Sequence, residues 1–216
     1  VIADFSFGNV NETGRIDTEK LITAYRAYLA SENHIRFEQF KHDELIIGEE
    51  SINYKDIEAS KIVFCEGFGI KQNPYFNYLP INEAKGELLK STLFVMPLGD
   101  NTYKVGATFN WTDKTSNPSE EGKEELVEKL KKVITVPYTI VSQSAGIRPT
   151  VSGRRPLVGI HPDYANLIVL NGLGTRGVMI APTVAKNLYN HLYNDESLDE
   201  EIDIVRFKHL NVKNSK

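Results

Sequence analysis

Gly172, Gly174 and Gly177 form a Gly-x-Gly-x-x-Gly pattern where a short apolar run, Leu167-Ile168-Val169-Leu170, gives way to helical spacing. Val178, Ile180, Val184, Leu188 and Leu192 then recur roughly on one helix face. A strand, a glycine turn and a helix in that order let backbone N–H groups approach a ligand closely. The helix N-terminus adds partial positive charge suited to an anion or an electron-rich ring edge. The pattern predicts a cofactor or substrate at this turn. A second apolar run, Ile62-Val63-Phe64-Cys65, ends at Glu66-Gly67-Phe68-Gly69. It reads as a strand buried on both faces, with glycines that again permit close approach. Taken alone, that exit is more simply an ordinary strand-to-loop junction.

The glycine turn does not open a complete dinucleotide fold. Such a fold needs a whole βαβ unit with an acidic residue about 20 positions on. After Gly177 come one helix, an acidic run (Asp195, Glu196, Asp199, Glu200, Glu201), a short Ile202–Phe207 segment and a polar tail. The turn must therefore complete something begun earlier. Other chemistry is missing from the pattern. The five histidines (His34, His42, His161, His191, His209) lack zinc spacing. No nucleophile elbow and no phosphate-binding loop with lysine is present. Cys65 reads as a core residue rather than a nucleophile, and the acidic run as a solvated surface. A metal site and a hydrolase are not expected.

The 216 residues are 41% apolar with a net charge of −4, enough for a real core and for one or two domains. Mild acidity leaves no footprint for nucleic acid. A single cysteine rules out an intramolecular disulfide and fits a reducing, cytoplasmic setting. No apolar run approaches the ~20 residues of a membrane helix, and no signal peptide is evident. The chain opens on Val1 rather than methionine and reads as a fragment or processed product.

Positioning elements follow from periodicity. Val1–Gly8 alternates as a strand. Asp17 is a candidate N-cap for a helix with Leu21, Ile22, Tyr25, Tyr28 and Leu29 as its apolar positions. Ile35–Phe40 reads as a short strand, then Leu45–Ile47 and Ile52–Tyr54 as a meander. Pro74 and Pro80 bound an aromatic loop, and extended segments resume at Lys85–Leu89. Leu93–Pro97 and Asn101–Trp111 predict a hairpin around Leu98-Gly99-Asp100-Asn101. In its second arm Tyr103, Val105, Ala107, Phe109 and Trp111 form a packing face, while the other face could line a cavity or meet solvent. Asn117, Pro118 and an acidic third residue predict a helix to about Lys132, with Leu126, Val127, Leu130 and Val133 inward. Tyr138–Ile147 is extended, Gly153–Gly159 turn-rich, and the tail after Lys208 disordered.

Three segments, ASKIVFCEGFG, AGIRPTVSGRRPLVG and NLIVLNGLGTRGVMIAPTVAKNLYNHL, in this order and spacing resemble the C-terminal part of the FAD-dependent D-amino-acid oxidase superfamily, which includes glycine oxidase and sarcosine oxidase. LFVMPLGDNTYKVGATFNWTDKTSNPSEEG resembles that family's substrate-domain hairpin and helix entry. The resemblance implies an α/β (α+β) fold with a partial FAD-binding, Rossmann-like domain (residues 9–73 and 145–216) and an antiparallel-sheet substrate domain (1–8 and 74–144). It implies that Gly172, Gly174, Thr175, Arg176 and Gly177 face the flavin ring. Gly67 and Gly69 would lie near the cofactor's path, and Arg148, in Gly-x-Arg-Pro, would clamp the substrate carboxylate. On residue type alone, a salt bridge to one of the 29 acidic residues explains Arg148 as well. Two departures stand out. Gly153 occupies a position where the family usually has aspartate, and the family's N-terminal strand–GxGxxG–helix has no counterpart here.

The implied activity is oxidation of a C–N bond in an amino acid or related amine, with hydride passing to flavin N5 and an imine left to hydrolyse. FAD is the implied cofactor, and the fragment alone is expected to hold it weakly or not at all and to be inactive. Expected partners are a small-molecule substrate and the missing N-terminal segment, with an oligomer left open and neither membrane nor nucleic acid expected. Two alternatives remain: a catalytically silent ligand-binding or interaction module on the same scaffold, or, because the LGTRG turn also resembles it, the flavin domain of a tRNA-modifying enzyme.

Overall fold

The computed structural model describes residues 11, 14–87, 94–108, 110, 112–113, 115–151 and 153–211. The expected strand at 1–8, and the hairpin positions Phe109 and Trp111, lie outside the described residues. The chain divides into two units, Val1–Lys41 and His42–Lys216. No helix among the described residues is long and apolar enough to cross a membrane.

In the first unit, α1 spans Thr18–Ser31, and the Asp17 carboxylate accepts from the Lys20 amide at 3.2 Å as its N-cap. An aspartate here satisfies one of the orphan amides of the first turn. Residues 35–40 do not form the expected strand. Their apolar pattern is too short to hold an extended shape without a ladder, and Phe37 is 74% exposed.

The second unit opens with an antiparallel meander of β1 (Leu45–Ile47), β2 (Ile52–Tyr54) and β3 (Ile57–Ala59). Its third strand, Ile57-Glu58-Ala59, is too short for a pattern to announce it. Next, β4 (Ile62–Phe64) runs into a 3-10 helix over Gly67–Gln72. The aromatic loop that follows is no surface loop: Phe76 and Leu79 are fully buried. Phe64, Tyr75, Phe76, Tyr78, His161 and Tyr164 form one aromatic cluster. The His161 ring is fixed at both nitrogens, Nε2 lying 3.0 Å from the Tyr75 carbonyl and Nδ1 accepting from the Asp163 amide.

The Tyr78 hydroxyl is buried and has no hydrogen-bond partner among the described residues. Burial first, and the nearby Asp163 charge second, push its pKa up to about 12. An unfolded tyrosine titrates near ~10, so the folded state holds this proton more tightly. The stability that depends on the neutral phenol is complete below about pH 10 and is lost as the pH climbs toward 12. Tyr78→Phe is therefore expected to leave stability at neutral pH nearly unchanged and to flatten the alkaline decline. Urea melts at stepped pH measure this, and parallel curves for the two proteins would reject Tyr78 as a source of that decline.

Next come β5 (Ile81–Glu87) and the hairpin of β6 (Phe94–Gly99) and β7 (Thr102–Gly106). Asp100 and Asn101, with φ of 47° and 53°, make a two-residue turn within the expected Leu98-Gly99-Asp100-Asn101 stretch, Leu98 and Gly99 ending β6. Positive φ at both central positions matches the right-handed twist of the flanking strands. The second strand stops at Gly106, well short of Trp111, and Tyr103 on its supposed packing face is 57% exposed. α2 (Glu120–Lys131) is capped by Ser119, whose Oγ accepts from the Gly122 amide at 3.1 Å, not by Asn117. Starting at Ser119 places Glu120 and Glu121 in the first turn, where the helix dipole favours them. A cavity of about 840 Å³ between the β6–β7 hairpin and α2 is lined by Val95, Tyr103, Val105, Leu126, Leu130 and Ile140, among others. No residue of either glycine turn lines it.

β8 (Ala145–Val151) pairs antiparallel with β5, Arg148 opposite Ala84. β9 (Leu157–Ile160) and β10 (Leu167–Asn171) complete the sheet β4-β10-β9, in which β10 runs parallel to β4 and antiparallel to β9. α3 (Gly177–Tyr193) lays Val184 and Leu188 against Val158, Ile168, Leu198 and Ile202. Val178, counted on that face by spacing, is exposed instead. The expectation that β4 is buried on both faces also fails. Among the described residues it pairs only with β10, and Val63 is 42% exposed and Cys65 exposed rather than core.

Candidate functional site

β4 and β10 point the same way, so both glycine segments leave the sheet at its carboxyl ends. In open α/β sheets that edge is where ligands bind, because loops diverge there and leave a crevice. Their ladder ends at Val169 opposite Phe64. Beyond it, the buried side chain of Asn171 takes over the connection. Its Nδ2 donates to the Gly67 carbonyl at 2.8 Å, and its Oδ1 accepts from the Gly172 amide at 2.7 Å. The Glu66 carboxylate is held on the other side, 2.8 Å from His42 Nε2 and accepting from Asn73 Nδ2 at 2.8 Å. Asn73, itself fully buried, accepts from the Tyr75 amide.

Gly172 is required twice over. Its φ is +68°, and a Cβ placed there would come within 2.7 Å of Val151 Cγ2 and 3.3 Å of Leu157 Cγ. Gly67, with φ of +60°, has Pro149 Cγ 3.9 Å from the equivalent point. Pro149 and Val151 share one face of β8 by strand alternation, and that face carries the two turns. Arg148 is one residue out of phase with them on β8. It is half-buried, and burial holds its guanidinium below its ordinary pKa. It nonetheless stays charged at any ordinary pH.

The other predicted residues sort by position. Gly174 has φ of +59° and open space where a Cβ would point. Thr175 and Arg176 are exposed in a 3-10 turn, and no side chain caps the N-terminus of α3. Gly177 lies 3.3 Å, measured from an added Cβ, from Leu173 Cβ, a tight approach within the turn. Gly69 sits inside the 3-10 helix with ordinary contact to Glu66, so its backbone does not demand glycine. The fold therefore brings Gly67, Gly172, Gly174 and the strand bearing Arg148 to one edge, with Thr175 and Arg176 on its rim. Cys65 is adjacent, but crowding by protein atoms, then the Glu66 charge, raises its pKa. The raised pKa lowers its thiolate share at neutral pH. Sequence reasoning missed Asn171, Glu66, His42 and Asn73, whose polar atoms meet only in the fold.

The chain matches the FAD dependent oxidoreductase family over residues 8–190. It is 24% identical to a glycine oxidase of Bacillus subtilis (strain 168) over 198 residues, 79% of this chain and 53% of that protein. It is 29% identical to the tRNA 5-methylaminomethyl-2-thiouridine biosynthesis bifunctional protein MnmC of Idiomarina loihiensis over 156 residues, 61% of this chain and 25% of that one. The crystal structure of an iminodiacetate oxidase from Chelativorans sp. BNC1 aligns with a TM-score of 0.63 at 20% identity, covering 87% of this chain and 57% of that one. The chain thus spans about half the length of the glycine oxidase it matches. The match runs through both glycine turns and the strand between them, and on that basis the chain belongs to the FAD-dependent oxidoreductases.

Proposed function

We propose that this chain forms the flavin-facing and substrate-facing part of an enzyme that oxidises the C–N bond of an amino acid or related small amine. The observation that carries it is the convergence of two glycine turns at the carboxyl ends of β4 and β10, beside the strand of Arg148. The residues fit the family's cofactor. Gly174 leaves open space where a side chain would stand, and the α3 amides meet no capping side chain. A flat ring edge can approach such a backbone closely, and the helix N-terminus favours negative charge there. FAD, when bound, supplies the two-electron acceptor, and the protein supplies orientation.

In this reading Gly67, Gly69, Gly172, Gly174, Thr175, Arg176 and Gly177 shape the cofactor edge, and Arg148 binds the substrate's carboxylate. Its guanidinium forks onto two oxygens at once. Partial burial strengthens that attraction, because less water screens it. In the same reading residues 9–73 and 145–216 serve the cofactor, and residues 1–8 and 74–144 serve the substrate. The match to the tRNA-modifying protein supports a second reading, in which the amine belongs to a larger substrate.

The test is a visible-absorption titration of FAD with this chain and with the gene's full-length product, followed by anaerobic addition of glycine, sarcosine and D-amino acids. This chain is expected to perturb the flavin band weakly, and the full-length product to hold flavin that bleaches with one of these amines. A colourless full-length product would sink the proposal. Bound flavin that none of them bleaches would favour the larger-substrate reading.

A further inference from the structure

We propose that Asn171 is a positioning residue that locks the two glycine turns at a fixed spacing and so sets the shape of the cofactor edge. The inference rests on the flavin reading above for its ligand, but on geometry alone for the lock. Asn171 ends β10 just where the parallel ladder with β4 stops. There the two strands part, and the Gly67 carbonyl and the Gly172 amide lie beyond the last paired residues. One carboxamide satisfies both, donating to the Gly67 carbonyl and accepting from the Gly172 amide. The side chain is 4% exposed, so water cannot replace either bond.

The two bonds are not equivalent. The Oδ1 bond is local, tying Gly172 to its own neighbour. The Nδ2 bond reaches 104 residues along the chain and ties one turn to the other. Both Gly67 and Gly172 have positive φ, a region in which glycine has several accessible conformers. Permissive residues on both sides of a binding edge need an external constraint, and a planar amide with one donor and one acceptor in use provides it. Hydrophobic packing from Pro149 and Val151 limits how close the turns come to β8, but only Asn171 links one turn to the other in the bonds above.

Hydrogen exchange, read by mass spectrometry on this chain and, with and without FAD, on the gene's full-length product, tests the lock. Asn171→Leu keeps the volume and removes both bonds. Its amides near Gly67 and near Gly172 are expected to exchange about tenfold faster, as loss of a buried hydrogen bond implies, while those of Ile168 to Leu170 change less. Asn171→Asp keeps the acceptor for Gly172 and loses the donor, so the faster exchange is expected at the Gly67 turn alone. It also serves if the leucine variant fails to fold. FAD is expected to slow exchange at both turns in the wild type, and in Asn171→Asp to protect them less and shift the flavin band less. Equal acceleration across the whole sheet, or none at either turn, would overturn the lock. Faster exchange in the variants without any FAD protection in the wild type would leave the lock standing, remove its cofactor role and tell against the flavin reading.

Discussion

Gly172→Ala is expected to lose roughly 2–5 kcal/mol of stability, combining ~1–2 for a left-handed alanine with ~1–3 for overpacking. The steric part comes from Val151 Cγ2 at 2.7 Å and Leu157 Cγ at 3.3 Å from the added carbon. Neither neighbour yields easily. Val151 is β-branched, buried and held in the β5–β8 ladder, and Leu157 is fully buried at the start of β9. Such a loss is a large share of the ~5–15 kcal/mol that holds an ordinary domain together. Gly174→Ala isolates the backbone contribution, since its φ is also positive but nothing lies within 4 Å. That variant should lose only ~1–2 kcal/mol. Adding Val151→Ala to Gly172→Ala should relieve the clash, so the double variant is less unstable than the two single losses summed. Urea midpoints for the wild type, the three single variants and the double variant decide it. If Gly172→Ala is no worse than Gly174→Ala, the contact with Val151 does not constrain the turn.

Local pattern made part of this architecture legible. Asp17 capping α1, the Asp100-Asn101 turn and the strand–glycine–helix order at 167–193 depend on neighbours in the chain, and each stands where periodicity put it. Pairing is less visible. The run Ile62–Cys65 is apolar on both faces, but a side chain's preference says nothing of what covers it, and here Val63 and Cys65 are exposed. The loop between Pro74 and Pro80 reads as turn-forming by its prolines. It is nevertheless core, because Phe76 packs on Phe64 and His161 across long sequence separations. For the site, the glycines were readable because a backbone conformation selects them. Asn171 was not, since a polar residue ending an apolar run looks like any strand terminus until Gly67 is found beside it. Glu66, His42 and Asn73 were hidden for the same reason.

The family membership rests on a match through both turns, whereas the proposed carboxylate-bearing substrate rests on Arg148, so under that proposal its removal has the larger functional consequence. In the flavin-loaded full-length protein, Arg148→Ala is expected to lower kcat/KM for a carboxylate-bearing amine roughly 10²–10³-fold, the loss of two charge-assisted hydrogen bonds. Most of the change should appear in KM if the clamp acts equally in ground and transition states. Arg148→Lys keeps the charge but not the planar fork, and should fall between the two. The informative comparison is an amine of similar size that lacks the carboxylate. Arg148→Ala should leave its kcat/KM nearly unchanged, because the β8 contacts to Gly67 and Gly172 come from Pro149 and Val151, out of phase with Arg148. Equal losses for both substrates would mean that Arg148 stabilises β8 rather than an anion. The carboxylate would then drop out of the substrate definition, and the amine of a larger molecule would become the better candidate.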